Sequence, residues 1–426
     1  MNPRAQSKRS AVDLIVIFIF LNSLGFPGNY TRLMGGWFRT VVDYSSFLLM
    51  IGVMLLTSGD SVMDILVIDL RRKYWSVYLF AAVLFVTSML VSISPSLQII
   101  TCIRVTVTVL FALWLCNQFS LRAVLERLYY AQILFVALTL IFVGLFPGYV
   151  YRESAAYAGD FVGIYSAKNG AGTELAFGIL VQLVLLRIYG EKHVVPSRLF
   201  VIMLSLQLIL LVLTHNVSSM LCLAVASVYL LFFEKRSPLL RRLPLGWLYI
   251  AGSIGFLIVS MTILPFFTPL FELVGKDATL TGRVPLWEAA LSLIMESHTL
   301  CGYGYAMFWR DPYAVDLLHS FFDANSFMAR QLSGTHNVLV EMLLNSGVLG
   351  VGAFFLSLLA SMKQIHELDN ERYLWCSSFI LFFMVFGFTE RAFATHEFMT
   401  MFLFFTLGAA CCREEESSAP SRAGGR

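Results

Sequence analysis

Charge is what this sequence has least of. Only 13% of its residues are Asp, Glu, Lys or Arg, about half of what a soluble chain of this length carries. The scarcity excludes an ordinary soluble domain, and no polybasic block exists to suggest nucleic acid. Cysteine is also sparse and badly placed for bridging. Of seven, Cys102, Cys116, Cys222, Cys376, Cys411 and Cys412 lie in or beside apolar runs, so Cys301 has no disulfide partner in its own loop. No Cys-x-x-Cys occurs, which argues against a structural zinc site. Asp311, Asp316 and Asp323 are too irregularly spaced for a metal loop. A Walker motif and Gly-x-Ser-x-Gly are missing too, so ATP hydrolysis and serine hydrolysis have no support.

Apolar runs dominate instead. Hydrophobic residues make up 58% of the 426, with 37 phenylalanines. A membrane helix needs about 20 such residues. Twelve runs qualify, near 11–28, 41–58, 74–94, 97–118, 129–147, 170–188, 198–214, 217–233, 246–264, 337–361, 374–390 and 396–412. The expected fold is therefore an all-α polytopic membrane protein of about 12 transmembrane helices. It forms one integral-membrane domain over 1–412, with a disordered tail over 413–426. The basic start (Arg4, Lys8, Arg9) precedes an apolar run without a small-residue cleavage site, so the first run reads as a helix and not a removed signal.

Lys/Arg bias sets the orientation. Arg71-Arg72-Lys73, Arg122 with Arg127, Arg187 with Lys192 and Arg198, and Lys235-Arg236 with Arg241-Arg242 fall in alternate loops. This places both termini in the cytoplasm and puts 265–335, between the ninth and tenth runs, outside. In a bacterium that loop is periplasmic and the protein is in the inner membrane.

The outer loop holds the chemistry-bearing residues. Val284 to Glu296 predicts a helix, with Thr281 or Gly282 as cap and Pro285 in the first turn. Leu286, Trp287, Ala290, Leu291 and Ile294 share one face. Arg283 stands at its N-terminus, where an anion is favoured. The turn Gly302-Tyr303-Gly304-Tyr305 offers close backbone approach and aromatic faces. His336 stands where the chain re-enters the membrane, followed by Asn337, Glu341 and Asn345 as a polar stripe. Imidazole is the usual base near neutral pH, and an intramembrane carboxylate is a functional candidate. Lys168-Asn169 opens the sixth run, Arg104 lies within the fourth, and Glu390-Arg391 and His396-Glu397 flank the last outer turn. Each also has a plain reading. Arg283 and Glu390 can be solvated loop charges, Lys168 a flank anchor, Arg104 a snorkelling cation, and Asn337 and Glu341 partners for neighbouring helices.

The order Thr281-Gly282-Arg283, Leu286-Trp287, Gly302-Tyr303-Gly304, His336-Asn337 and Gly347-Val348-Leu349-Gly350 resembles the O-antigen ligase and O-antigen polymerase family. Ala167-Lys168-Asn169 is similar to the motif of its exopolysaccharide-polymerase branch. The resemblance implies glycosyl transfer outside the membrane from a glycan on undecaprenyl diphosphate. The acceptor is another lipid-linked glycan (polymerase) or lipid A core (ligase). It implies inversion, no metal and no cofactor, with the bilayer and other polysaccharide-assembly proteins as partners. On that footing His336 is the base and Arg283 stabilises the leaving group. Lys168, Asn169, Arg104, His215, Tyr303, Tyr305, Asn337 and Glu341 are candidate substrate contacts. One departure stands out. Where the family carries a second basic residue, after the short outer loop between spans seven and eight, this chain has Val217 in Thr214-His215-Asn216-Val217-Ser218-Ser219. Either Lys168 or His215 then replaces that charge, or the diphosphate is held differently. The competing class is a lipid-linked-sugar transporter, which should show pseudo-repeats; the two halves differ in loop length and polar content.

Overall fold

The computed structural model describes residues 3–25, 34–58, 73–151, 159–165, 167–189, 197–233, 242–268, 279–280, 282–322, 334–363, 365–393 and 398–412. Thr281, Asp323, His396, Glu397 and the tail over 413–426 lie outside them.

Long helices account for nearly all of the described chain. They are α1 (Pro3–Ser23), α2 (Gly36–Ser58), α3 (Trp75–Val91), α4 (Pro95–Gln118), α5 (Leu121–Leu145), α6 (Lys168–Tyr189), α7 (Ser197–Leu213), α8 (Val217–Val228) and α9 (Leu245–Ile258). Next come α10 (Arg283–Leu293) and α11 (Pro312–His319), then α12 (Val338–Met362), α13 (Asn370–Thr389) and α14 (Phe398–Cys411). Except for α10 and α11, each follows one of the twelve apolar runs. Seven helical stretches among the described residues are long and apolar enough to cross a membrane, and five more are apolar but shorter. Among the described residues the one departure from helix and loop is an isolated antiparallel bridge between Tyr151 and Phe161.

The interior is built around α13, α14 and α6. An apolar helix that is buried all round belongs at the centre of its bundle. In α13 every residue from Tyr373 to Phe383 is buried, and so is every residue of α14 from Phe398 to Ala410. Phe177 of α6 wedges between them, 4.9 Å from Phe398 and 5.1 Å from Phe402 by ring centroid. Around this core α12 packs on α3, α8 on α13 and α6, α4 on α14, and α1 on α5. Charged contacts sit at the two ends of the bundle. At the end where α13 starts, Arg127 meets Asp13 at 2.5 Å and Arg122 pairs with Glu371. At the end where α13 stops, Glu390 caps it.

α12 is not continuous. Gly347 has φ 63° and ψ −164°, a conformation essentially restricted to glycine. A Cβ there would lie 2.3 Å from the carbonyl of Leu300. The backbone groups freed by the break are satisfied by the loop: Tyr303 N–H donates to Leu344 O (2.7 Å), Val348 N–H to Thr299 O (2.9 Å), Leu349 N–H to Leu300 O (3.2 Å). Non-helical backbone at membrane depth requires such protein partners. The two glycine motifs around 302 and 347 are thus two sides of one joint.

Candidate functional site

The segment over 282–322 folds onto the bundle, α10 packing against α12. α10 begins after Gly282, whose φ of 80° suits glycine. It buries Val284, Leu286, Trp287, Ala289, Ala290 and Leu293, close to the face expected from the sequence. Where the sequence predicts helix to Glu296, the chain loosens into a wider π-turn over Ile294–His298. Trp287 Nε1 donates to the Thr335 carbonyl at 2.8 Å. This bond pins the loop helix to the start of α12, so that Arg283 and His336 come together.

Thr335 is held from several sides. Its N–H donates to Glu341 Oε2 at 3.0 Å, and its hydroxyl lies 2.9 Å from the same oxygen. The other oxygen of Glu341 accepts from Trp309 Nε1 at 2.9 Å. Glu341 therefore clamps the residue before the histidine and does not meet the imidazole itself. Asn337 caps α12, accepting from Leu339 N–H and Val340 N–H at 3.0 and 3.1 Å, and donates to Phe388 O. Between these fixed neighbours His336 adopts φ 52°, a left-handed conformation that costs a non-glycine residue about 1–3 kcal/mol.

Glu390 is the hub of the site. Its Oε2 lies 3.3 Å from His336 Nδ1, and its Oε1 lies 3.5 Å from Arg283 Nη2 and 3.0 Å from Asn169 Nδ2. The carboxylate is 10% exposed, Arg283 19% and the imidazole 35%. The sequence reading took Glu390 as a solvated loop residue; the structure buries it. Its three partners come from α6, α10 and the start of α12, remote in sequence, so nothing local announces the role.

A second carboxylate lies beside it. Asp160 Oδ2 is 2.8 Å from Lys168 Nζ, and Oδ1 is 3.0 Å from His215 Nδ1. Burial alone would push this carboxyl up, but hydrogen bonds and charge from Lys168 and His215 outweigh it and hold the group below its ordinary value. Asp160 had no motif to mark it in the sequence. His215 has φ 50° and precedes Asn216, which caps α8 and donates to the Asn169 carbonyl at 3.2 Å. A Cβ on Gly172 would stand 2.7 Å from Asn216, so glycine is needed for this approach. Lys168 and His215 both gather here, while Val217, at the position of the missing basic residue, opens α8 as an exposed side chain.

Four helices, α6, α8, α10 and α12, therefore start around the two carboxylates. Unpaired N–H groups at helix starts favour negative charge. Arg283, Lys168, His215 and the nearby Arg391, whose side chain packs on Gly334, add positive charge to these helix starts, facing the two carboxylates. Among the described residues no group of three or more His, Cys, Asp and Glu is arranged to hold a metal.

Other expected contacts fall elsewhere. Arg104 lies over the rings of Tyr44 (4.6 Å) and Phe47 (5.4 Å). That cation–π seat is between α4 and α2, and neither helix carries a member of the cluster. Tyr305, expected to face ligand, is 1% exposed. Its N–H donates to Ser88 Oγ and its carbonyl accepts from Gln98 Nε2, so the turn plugs between α3 and α4. Tyr303 stacks on His298 with centroids 3.8 Å apart. Burial lowers the His298 imidazole below its ordinary value, against the nearby Asp311 charge.

Residues 199–355 match the family model described as O-antigen ligase. The chain is also 26% identical to the exopolysaccharide production protein ExoQ of Rhizobium meliloti, over 74% of this chain and 72% of that protein. The matched family segment contains His215, Arg283 and His336 and both sides of the Gly347 joint. By both findings the chain is similar to O-antigen ligase and exopolysaccharide production proteins.

Proposed function

We propose that this protein is a membrane glycosyltransferase that polymerises a cell-surface polysaccharide from undecaprenyl-diphosphate-linked glycan. The observation that carries the reading is the meeting of Arg283, His336 and Asn169 on Glu390, beside Lys168 and His215 on Asp160. Base and cations stand together where four helices begin.

In the proposed reaction an acceptor hydroxyl attacks the anomeric carbon of the donor from the face opposite the lipid diphosphate. Its proton passes to His336. The bond from the anomeric carbon to the diphosphate oxygen breaks, and the electron pair leaves with that oxygen. Arg283 opposes the charge that develops, with Lys168 and His215 assisting; fixed donors aimed at developing charge are among the largest catalytic terms. The anomeric centre is inverted and the side chains take the place of a metal. The proposal includes twelve spans, cytoplasmic termini and a periplasm-facing site in the inner membrane, which the alternation of Lys and Arg supports.

The ExoQ relative favours a role in exopolysaccharide production, with which the polymerase reading is consistent. The O-antigen ligase match favours the second reading, transfer of the glycan to lipid A core. Purified protein in liposomes, given lipid-linked glycan without nucleotide or ion gradient and with chelator present, tests the proposal. It predicts longer lipid-linked glycan and free lipid diphosphate. Glycan transferred only to added lipid A core means ligase. Movement of intact lipid-linked glycan, with no new glycosidic bond, means transporter.

A further inference from the structure

Glu390 stands outside the family match over residues 199–355 and carries no motif of its own. Yet its two oxygens divide between the proposed base and the proposed cation. Oε2 faces His336 Nδ1 at 3.3 Å, and Oε1 faces Arg283 Nη2 and Asn169 Nδ2 at 3.5 and 3.0 Å. From this geometry we propose that Glu390 is a positioning residue, which fixes the His336 tautomer and ties the base to the diphosphate-binding arginine. The inference rests on the transferase reading given above.

An ionised carboxylate only accepts hydrogen bonds. Facing it, the neutral imidazole keeps its proton on Nδ1 and presents the Nε2 lone pair. Nε2 is then the nitrogen that takes the acceptor hydroxyl's proton. The Asn169 amide, which donates to Oε1, and the Arg283 ion pair on the same oxygen hold the carboxylate against rotation. The backbone contributes as well: Glu390 N–H donates to Phe386 O at 2.9 Å, fixing the end of α13. A single anchor thus sets the imidazole ring, its proton and the distance from base to Arg283. Burial to 10% exposure keeps water from competing for either oxygen. A solvated loop glutamate has none of these features.

The test combines a spectroscopic and a kinetic readout on the full-length protein in detergent or liposomes. Nitrogen-15 NMR of histidine-labelled protein, with His336→Asn to assign the resonance, reports which ring nitrogen carries the proton. Neutral His336 should carry it on Nδ1. Glu390→Gln, whose amide can accept or donate, should admit both forms. With lipid-linked glycan, Glu390→Gln should lower kcat at least about tenfold, with the ~10²–10⁴ of a general base as the ceiling. The KM for donor should change little. Glu390→Asp, which keeps the charge, should recover part of kcat. A wild-type His336 protonated on Nε2 overturns the proposal. So does unchanged kcat in Glu390→Gln while His336→Asn is inactive; in that case the base assignment stands without its anchor. Full turnover in His336→Asn overturns both the base and its anchor. A Glu390→Gln variant that loses kcat only in proportion to a lowered melting temperature reduces Glu390 to a structural part and overturns the proposal too.

Discussion

Removing Glu341 should release the turn that presents His336. Its carboxylate takes the Thr335 N–H at 3.0 Å, the Thr335 hydroxyl at 2.9 Å and Trp309 Nε1 at 2.9 Å. In Glu341→Ala the hydroxyl can turn to the Asn337 carbonyl, 3.0 Å away. The buried Thr335 N–H and the half-buried indole N–H are left without that acceptor. A stranded buried group costs about 1–3 kcal/mol and the half-buried indole less, so the loss is roughly 1–4 kcal/mol before the relief of an unburied carboxylate. The left-handed backbone of His336 stores about 1–3 kcal/mol. The lost bonds match or exceed that strain, so the turn should relax and the imidazole should leave Glu390. Glu341→Gln keeps the shape but offers one acceptor and one donor, and should cost about 1–3 kcal/mol. Thermal unfolding of purified protein, with turnover at matched membrane levels, reads both effects. A Glu341→Ala protein that melts and turns over like wild type would refute the clamp.

Gly347→Ala should destabilise strongly, because its Cβ would meet the Leu300 carbonyl at 2.3 Å in a glycine-only conformation. Gly352→Ala in the same helix meets nothing within 4 Å and should be neutral or slightly stabilising by thermal unfolding. Asp160 has a carboxyl held below its ordinary value. Its stabilisation is therefore full above the ordinary carboxylate range and is lost as pH falls through the lowered value. The melting-temperature gap between wild type and Asp160→Asn should be open at neutral pH and close in acid; a gap independent of pH would count against the pairing. Arg283→Lys loses the planar fork and should reduce turnover by ~10²–10³ without loss of protein from the membrane, measured by immunoblot and transfer assay. A cysteine in place of Ser320 should react with an impermeant thiol reagent in outer-membrane-permeabilised cells, and one in place of Ser417 only after lysis. The reverse pattern would invert the orientation.

Much of the architecture was legible because apolar length and helical periodicity are local properties. All twelve apolar runs became helices, and the face of α10 carrying Leu286, Trp287 and Ala290 is the buried one. Arg283 and His336 stood out as a cation at a helix start and a histidine at a membrane boundary. The Trp287–Thr335 bond ties the helix of the one to the turn of the other. What stayed hidden depends on remote partners. Glu390 and Asp160 look like loop acids until α6, α10 and α12 supply their counter-charges. The break at Gly347 has no proline to announce it; it exists because the turn at Gly302 docks there. Tyr305 reads as an aromatic face at the end of a glycine turn, yet Ser88 and Gln98 draw its backbone into the core.

The central claim is that transfer occurs at the cluster of His336, Glu390 and Arg283. Its most direct test is the initial rate of glycan transfer by wild type, His336→Ala and His336→Asn, purified and matched for amount. Asparagine tolerates the left-handed backbone better than alanine, so the pair separates lost chemistry from lost turn geometry. The account predicts that both variants fall by about 10²–10⁴ while His319→Ala, in α11, stays near wild type. A wild-type rate in both His336 variants, with loss in His319→Ala, would contradict it.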